Sequence, residues 1–173
     1  MKRPVFHAFT TRFSTKTNVL YTPVKISEAF DPQVILLHNR PNELDCKAIW
    51  DTGATSSCIT ENLACRIGLK PIGKVPVTNT SGTEIKDAYL VNIQLPNNVV
   101  ITHLKVVECV ALSGGFEFLV GMDIIGAGDF AVTNVDNKTA LSYRLPSIKI
   151  VDYVEEANIQ NTQPARESKL SKS

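Results

Sequence analysis

Ala48-Ile49-Trp50-Asp51-Thr52-Gly53-Ala54-Thr55-Ser56-Ser57 is the stretch on which the reading of this chain turns. Three apolar residues run straight into an acid, and a hydroxyl residue and a glycine follow it. A strand of this kind delivers Asp51 to the mouth of a tight turn, where backbone N–H groups can hydrogen-bond the carboxylate. The triplet alone is weak evidence, because Asp and Gly populate ordinary turns. Its weight comes from what surrounds it.

Upstream, Cys46-Lys47-Ala48-Ile49-Trp50 is the delivering strand, and His38-Asn39-Arg40-Pro41-Asn42 is a turn before it. Val34-Ile35-Leu36-Leu37, and Val19-Leu20-Tyr21 with Val24-Lys25-Ile26, are further apolar runs of strand length. Downstream stands one well-marked helix. Thr60 caps it, Glu61 sits in its first turn, Leu63, Ala64 and Ile67 share a face, and Gly68 closes it. Val75-Pro76-Val77-Thr78 and residues 88–95 then flank Asn79-Thr80-Ser81-Gly82-Thr83-Glu84, a polar, glycine-containing tip that reads as a mobile hairpin. Pro96-Asn97-Asn98 is a second turn, and residues 99–107 read as another hairpin arm. Many short strands with one clear helix predict a mostly β architecture.

A second signature is Phe118-Leu119-Val120-Gly121-Met122-Asp123-Ile124-Ile125, an apolar strand ending in glycine about 70 residues after Asp51. Together, the Asp-Thr-Gly-Ala loop after an apolar strand and this apolar-apolar-Gly element resemble the retroviral-type, single-lobed aspartic proteases. The resemblance covers roughly residues 17 to 145. It implies a mostly β, closed-barrel-like retropepsin fold with one or two short helices. It also implies an endopeptidase active as a homodimer, because only Asp51 stands in an Asp-Thr/Ser-Gly context here.

In that family two neighbouring carboxylates share one proton, since like charges so close cannot both ionise. The charged member takes a proton from water, and the protonated member donates to the scissile carbonyl. By resemblance, Asp51 is the catalytic carboxylate, and Thr52 bonds across the dimer axis to its mate's loop. Gly53 offers a backbone group to substrate. Ala54 replaces the serine of pepsin-like enzymes, so the pair is expected to work at milder pH. Asn79, Thr80, Ser81, Gly82 and Thr83 would form a flap closing over an extended polypeptide, with Gly82 at or near its tip. Gly121 would permit close packing beside the catalytic loop, and Asp123 would be structural. Trp50 reads as core rather than pocket lining.

Residues 1–16 are basic and without sustained periodicity, and are expected to be a flexible arm. Residues 17–150 form the protease-like domain, and 151–173 are expected to be a disordered polar tail. Either Leu141-Ser142-Tyr143-Arg144-Leu145 or Ile148-Lys149-Ile150-Val151 would supply a strand to the dimer interface. A formal net charge of +1 makes no case for a nucleic-acid partner. No apolar run reaches the roughly 18 to 20 residues of a membrane span. Without a signal peptide the expected compartment is the cytoplasm, or the chain is a piece of a larger polyprotein.

Cys46, Cys58, Cys65 and Cys109 make no metal-ligand spacing with each other or with His7, His38 and His103, so no metal or other cofactor is expected. They read as reduced thiols packed as small apolar groups. Two rivals to the protease reading remain. One is a catalytically inactive retropepsin-like module for dimerisation or peptide binding. The other, phosphoryl transfer on Asp51, lacks the supporting carboxylates and the alternating α/β pattern that chemistry needs.

Overall fold

Along Tyr21–Glu28 the side chains of Thr22, Val24 and Ile26 are buried while their neighbours Pro23 and Lys25 face solvent. Such alternation makes a strand with one face in a core. This strand, β2, opens a barrel that a computed structural model of the chain describes over residues 5–33, 40–79 and 82–162. The apolar run at 34–37, and His38 and Asn39 of the turn after it, lie outside the described residues.

The remaining barrel strands are β3 (Glu43–Trp50), β4 (Cys58–Thr60), β6 (Gly82–Leu95), β7 (Val99–Cys109) and β8 (Phe118–Val120). Their hydrogen-bonded order is β2-β3-β8-β4-β7-β6, and β6 returns to β2, so six strands close into a ring. Closure leaves these strands no free edge. β5 (Gly73–Asn79) pairs with β6 alone and hangs from the barrel as the outer arm of a hairpin. Ile26, Ile59, Ile93, Leu95, Val99, Val106 and Phe118 fill the interior, all at 2% exposure or less. The fold class is the mostly β, closed barrel that the sequence predicts.

The helix α1 (Glu61–Ile67) has the predicted caps: Thr60 Oγ1 accepts the Leu63 N–H at 3.3 Å, and Gly68 closes the helix with φ +83°. Leu63 and Ala64 are its buried residues. A four-residue helix, α2 (Met122–Ile125), follows β8 directly.

A second sheet, β1-β10-β9, lies beside the barrel: β1 is His7–Arg12, β9 is Asp129–Val135 and β10 is Lys138–Leu145. Within the arm expected to be flexible over residues 1–16, His7–Arg12 are instead a strand: β1 pairs along its whole length with β10, from His7↔Leu145 to Arg12↔Ala140. Phe9 is the one buried residue of β1, and it docks against Trp50 and Tyr143 at ring-centroid distances of 5.9 and 6.0 Å. Trp50 also stacks on Phe130 of β9 at 5.5 Å and 11°, so it seams the barrel to the second sheet. Its indole N–H donates to the buried Thr22 hydroxyl at 3.0 Å.

β10 has a neighbour on each side, so residues 141–145 cannot lend an edge to a second copy. The segment after it is free of regular structure, and Ile148, Ile150 and Val151 are exposed at 52%, 94% and 49%. The polar tail expected from 151 contains a ten-residue helix, α3 (Tyr153–Thr162), with no buried side chain. Asp152 caps it, accepting the Val154 and Glu155 N–H groups at 2.9 and 3.1 Å. The rest of that tail, 163–173, lies outside the described residues.

Candidate active site

The seven residues from Asp51 to Ser57 leave the end of β3 and return to the barrel at β4, running alongside β8 and α2. Backbone bonds fix the first half. The Asp51 N–H donates to the Val120 carbonyl at 3.0 Å, and the Met122 N–H donates to the Ala54 carbonyl at 2.8 Å. Within the turn, the Ala54 N–H reaches the Asp51 carbonyl at 3.3 Å. The Gly53 N–H donates to Asp51 Oδ1 at 2.8 Å, a bond to a charged acceptor that orients the carboxylate.

Gly121 is required by space, and little of it is spare at Gly53. A Cβ on Gly53 would sit 3.2 Å from Asp51 Oδ1. One on Gly121 would stand 2.6 Å from the Ser56 carbonyl carbon, closer than unbonded backbone atoms approach. Asp51 is partly exposed, and Thr52 and Gly53 are exposed at the turn. No Lys, Arg or His pairs with Asp51 among the described residues.

A groove of about 340 Å³ opens between this loop and the hairpin. Gly53, Ala54, Thr55 and Ser56 form one side, Pro76, Val77 and Thr78 of β5 the other, and Cys58 and Val107 its floor. The hairpin pairs from Gly73↔Ala88 to Asn79↔Gly82; Thr80 and Ser81, expected in the flap, lie outside the described residues. The hydroxyls of Thr78 and Thr83 bond at 2.9 Å across its last turn. Gly82 takes φ +131°, a conformation that side chains resist.

Residues 40–127, just over half of the chain, match the sequence family described as gag-polyprotein putative aspartyl protease. The chain belongs to this aspartyl protease family. The matched span begins before β3 and ends after α2, so it holds both sides of the groove and the whole Asp51 loop.

Solved structures of similar shape include a retropepsin-like aspartic protease from Rickettsia conorii, with TM-score 0.48 and 12% identity over 83% of this chain and 98% of that one. The retroviral protease-like domain of Ddi1 from Leishmania major aligns at TM-score 0.43 and 17% identity, over 78% and 97% of the two chains. The protease of Simian Foamy Virus (mac) aligns at 0.38 and 15%, over 60% and 89%. No curated protein sequence matches the chain.

Around the far end of this aspartyl protease loop, Asp123 and Cys58 carry more than their sequence context suggests. Asp123 reads as structural in the sequence, but its partner there is unidentified. That partner is Ser57, fully buried, whose N–H donates to Asp123 Oδ2 at 2.8 Å and whose hydroxyl donates to Oδ1 at 2.7 Å. The partnership joins residues 66 apart, so no local pattern announces it. Cys58 lines the groove, and burial, with the nearby Asp123 and Asp51 charges, pushes its thiol up from its ordinary value. Trp50 is 5% exposed and belongs to the core.

Proposed function

We propose that this protein is an aspartic endopeptidase that works as a homodimer, with Asp51 of each copy meeting across a two-fold axis. The observation that carries the reading is the single Asp-Thr-Gly carboxylate of the chain. It is partly exposed at a braced turn beside an open groove, with no cation paired to it among the described residues. One such group cannot be both base and acid, and symmetry supplies the second without a second motif. The aspartyl protease family to which the chain belongs supports the peptidase chemistry.

In the reaction so read, one Asp51 carboxylate accepts a proton from water while the oxygen adds to the scissile carbonyl carbon. The other, protonated, Asp51 gives its proton to the carbonyl oxygen. Collapse of the tetrahedral intermediate breaks the C–N bond, with a proton passing to the leaving nitrogen. Substrate would lie extended in the groove, with the hairpin of β5 and β6 as flap and Asn79, Gly82 and Thr83 near its end. Thr52, exposed beside Asp51, is placed in this reading against its mate's loop. Ile148–Val151, exposed and unpaired, is the segment we assign to the second copy, because β10 is enclosed.

The test pairs wild type with Asp51→Asn on a mixed peptide library between about pH 3.5 and 7, with cleavage read by mass spectrometry and the solution mass recorded alongside. Cleavage that is lost in the variant, and seen only where dimer exists, is the expected result. A dimer that cuts nothing across that range would point instead to a peptide-binding or dimerisation module.

A further inference from the structure

The two ends of the Asp51–Ser57 loop are held by different means. Backbone groups alone hold the first half; the far end has one backbone bond, from the Val107 N–H to the Ser57 carbonyl at 3.1 Å, and is gripped besides by a side chain on α2. The Asp123 carboxylate accepts the Ser57 N–H, the Ser57 hydroxyl and, at 2.9 Å, the Ile124 N–H of its own helix. The Ser57 Oγ accepts in turn the buried Gly121 N–H at 3.1 Å. One hydroxyl thus links the loop, the close-packed glycine and the helix. No cation pairs with Asp123 among the described residues, so N–H and O–H donors alone meet its charge. Bonds to an ionised acceptor are about twice as strong as neutral ones.

We propose that Ser57 and Asp123 are a positioning pair that sets where the Asp51 carboxylate stands. Loss of the Ser57 hydroxyl leaves the Gly121 N–H buried without an acceptor and removes one of the two bonds between Ser57 and Asp123. The loop then shifts between its remaining backbone anchors at Asp51, Ala54 and the Ser57 carbonyl. The kinetic consequence rests on the peptidase reading above; the structural consequence does not.

Ser57→Ala and Asp123→Asn are compared with Ser57→Thr, which keeps the hydroxyl, and with Val99→Ala, a core truncation remote from the loop. The first two are expected to lower kcat about tenfold or more with KM within about twofold, since small misplacements of a reacting group cost that much. The double variant costs no more than either single one. Ser57→Thr recovers kcat, and Val99→Ala loses thermal stability while keeping it. A KM effect alone, or an equal kcat loss in Val99→Ala, overturns the proposal.

Amide hydrogen exchange decides independently of activity. In Ser57→Ala, or in Asp123→Asn if the former does not fold, the Asp51, Gly121 and Met122 amides exchange about tenfold faster or more, while Ile93 in the barrel is unchanged. Unchanged exchange at the three sites refutes the pair, even for a protein that cuts nothing. Wild type that cuts no peptide refutes the peptidase reading and leaves exchange to judge the pair. In wild type the three amides are expected to open together; separate openings also count against it.

Discussion

A methyl group at position 121 would press on the Ser56 carbonyl carbon at 2.6 Å and on its oxygen at 2.8 Å, and no flexible side chain is there to give way. Gly121→Ala therefore forces β8 and the loop apart. Its expected cost is about 1–3 kcal/mol, in the range of overpacked sites, read as a lower urea midpoint at an unchanged slope. A variant with wild-type stability would mean that the two backbones have slack between them. At this scale much of the site was legible before the fold was known. Asp51, Gly53 and Gly121 stand out through the resemblance that the Asp-Thr-Gly-Ala loop and the apolar-apolar-Gly element carry. Ser57 does not, because a serine in a serine-rich loop gives no hint that it alone will be buried against a carboxylate far along the chain.

Among the elements, α1 is the one written most locally. Its cap, first-turn acid, apolar face and closing glycine all lie within nine residues, Thr60 to Gly68. Thr60→Ala removes the side-chain acceptor of the Leu63 N–H, and about 1 kcal/mol of stability should go with it, measured by thermal or urea unfolding. The β5–β6 hairpin was equally legible, since both arms and the glycine-containing tip are contiguous. β1 was not. Only Phe9 of its six residues is buried, which leaves no alternation to detect, and its partner β10 is more than 120 residues away. α3 hid for a different reason: it buries nothing, so it has no apolar stripe. The Asp152-x-x-Glu155 start was its available signal.

At the scale of the molecule, the end of the second sheet is fastened by Asp129. The Ser147 hydroxyl, the Arg144 guanidinium and the Ile148 N–H converge on its carboxylate and hold its pKa down to about 2. A depressed acid stabilises the fold above its ordinary unfolded value, near 4, and that contribution disappears as pH falls from there towards about 2. Asp129→Asn should accordingly be less stable than wild type at pH 7, and the gap in urea midpoint should narrow through that acid window. A gap that stays constant with pH would show the contacts to be incidental. The sequence marked Asp129 in no way, since its three donors are gathered only once the chain turns after β10.

The facing positions His7 and Leu145 have a consequence for how the fold can be rearranged. Opposite residues of an antiparallel ladder lie only about 5 Å apart, so the first and last strands of the two sheets meet the rest of the chain at nearly one point. A short bridge of a few residues can join those points, and new ends can be cut in the turn at Pro96–Asn98 without breaking the ring of strands. A circular permutant built in this way should keep the groove, and the same geometry lets the whole unit be spliced into a surface loop of a host protein.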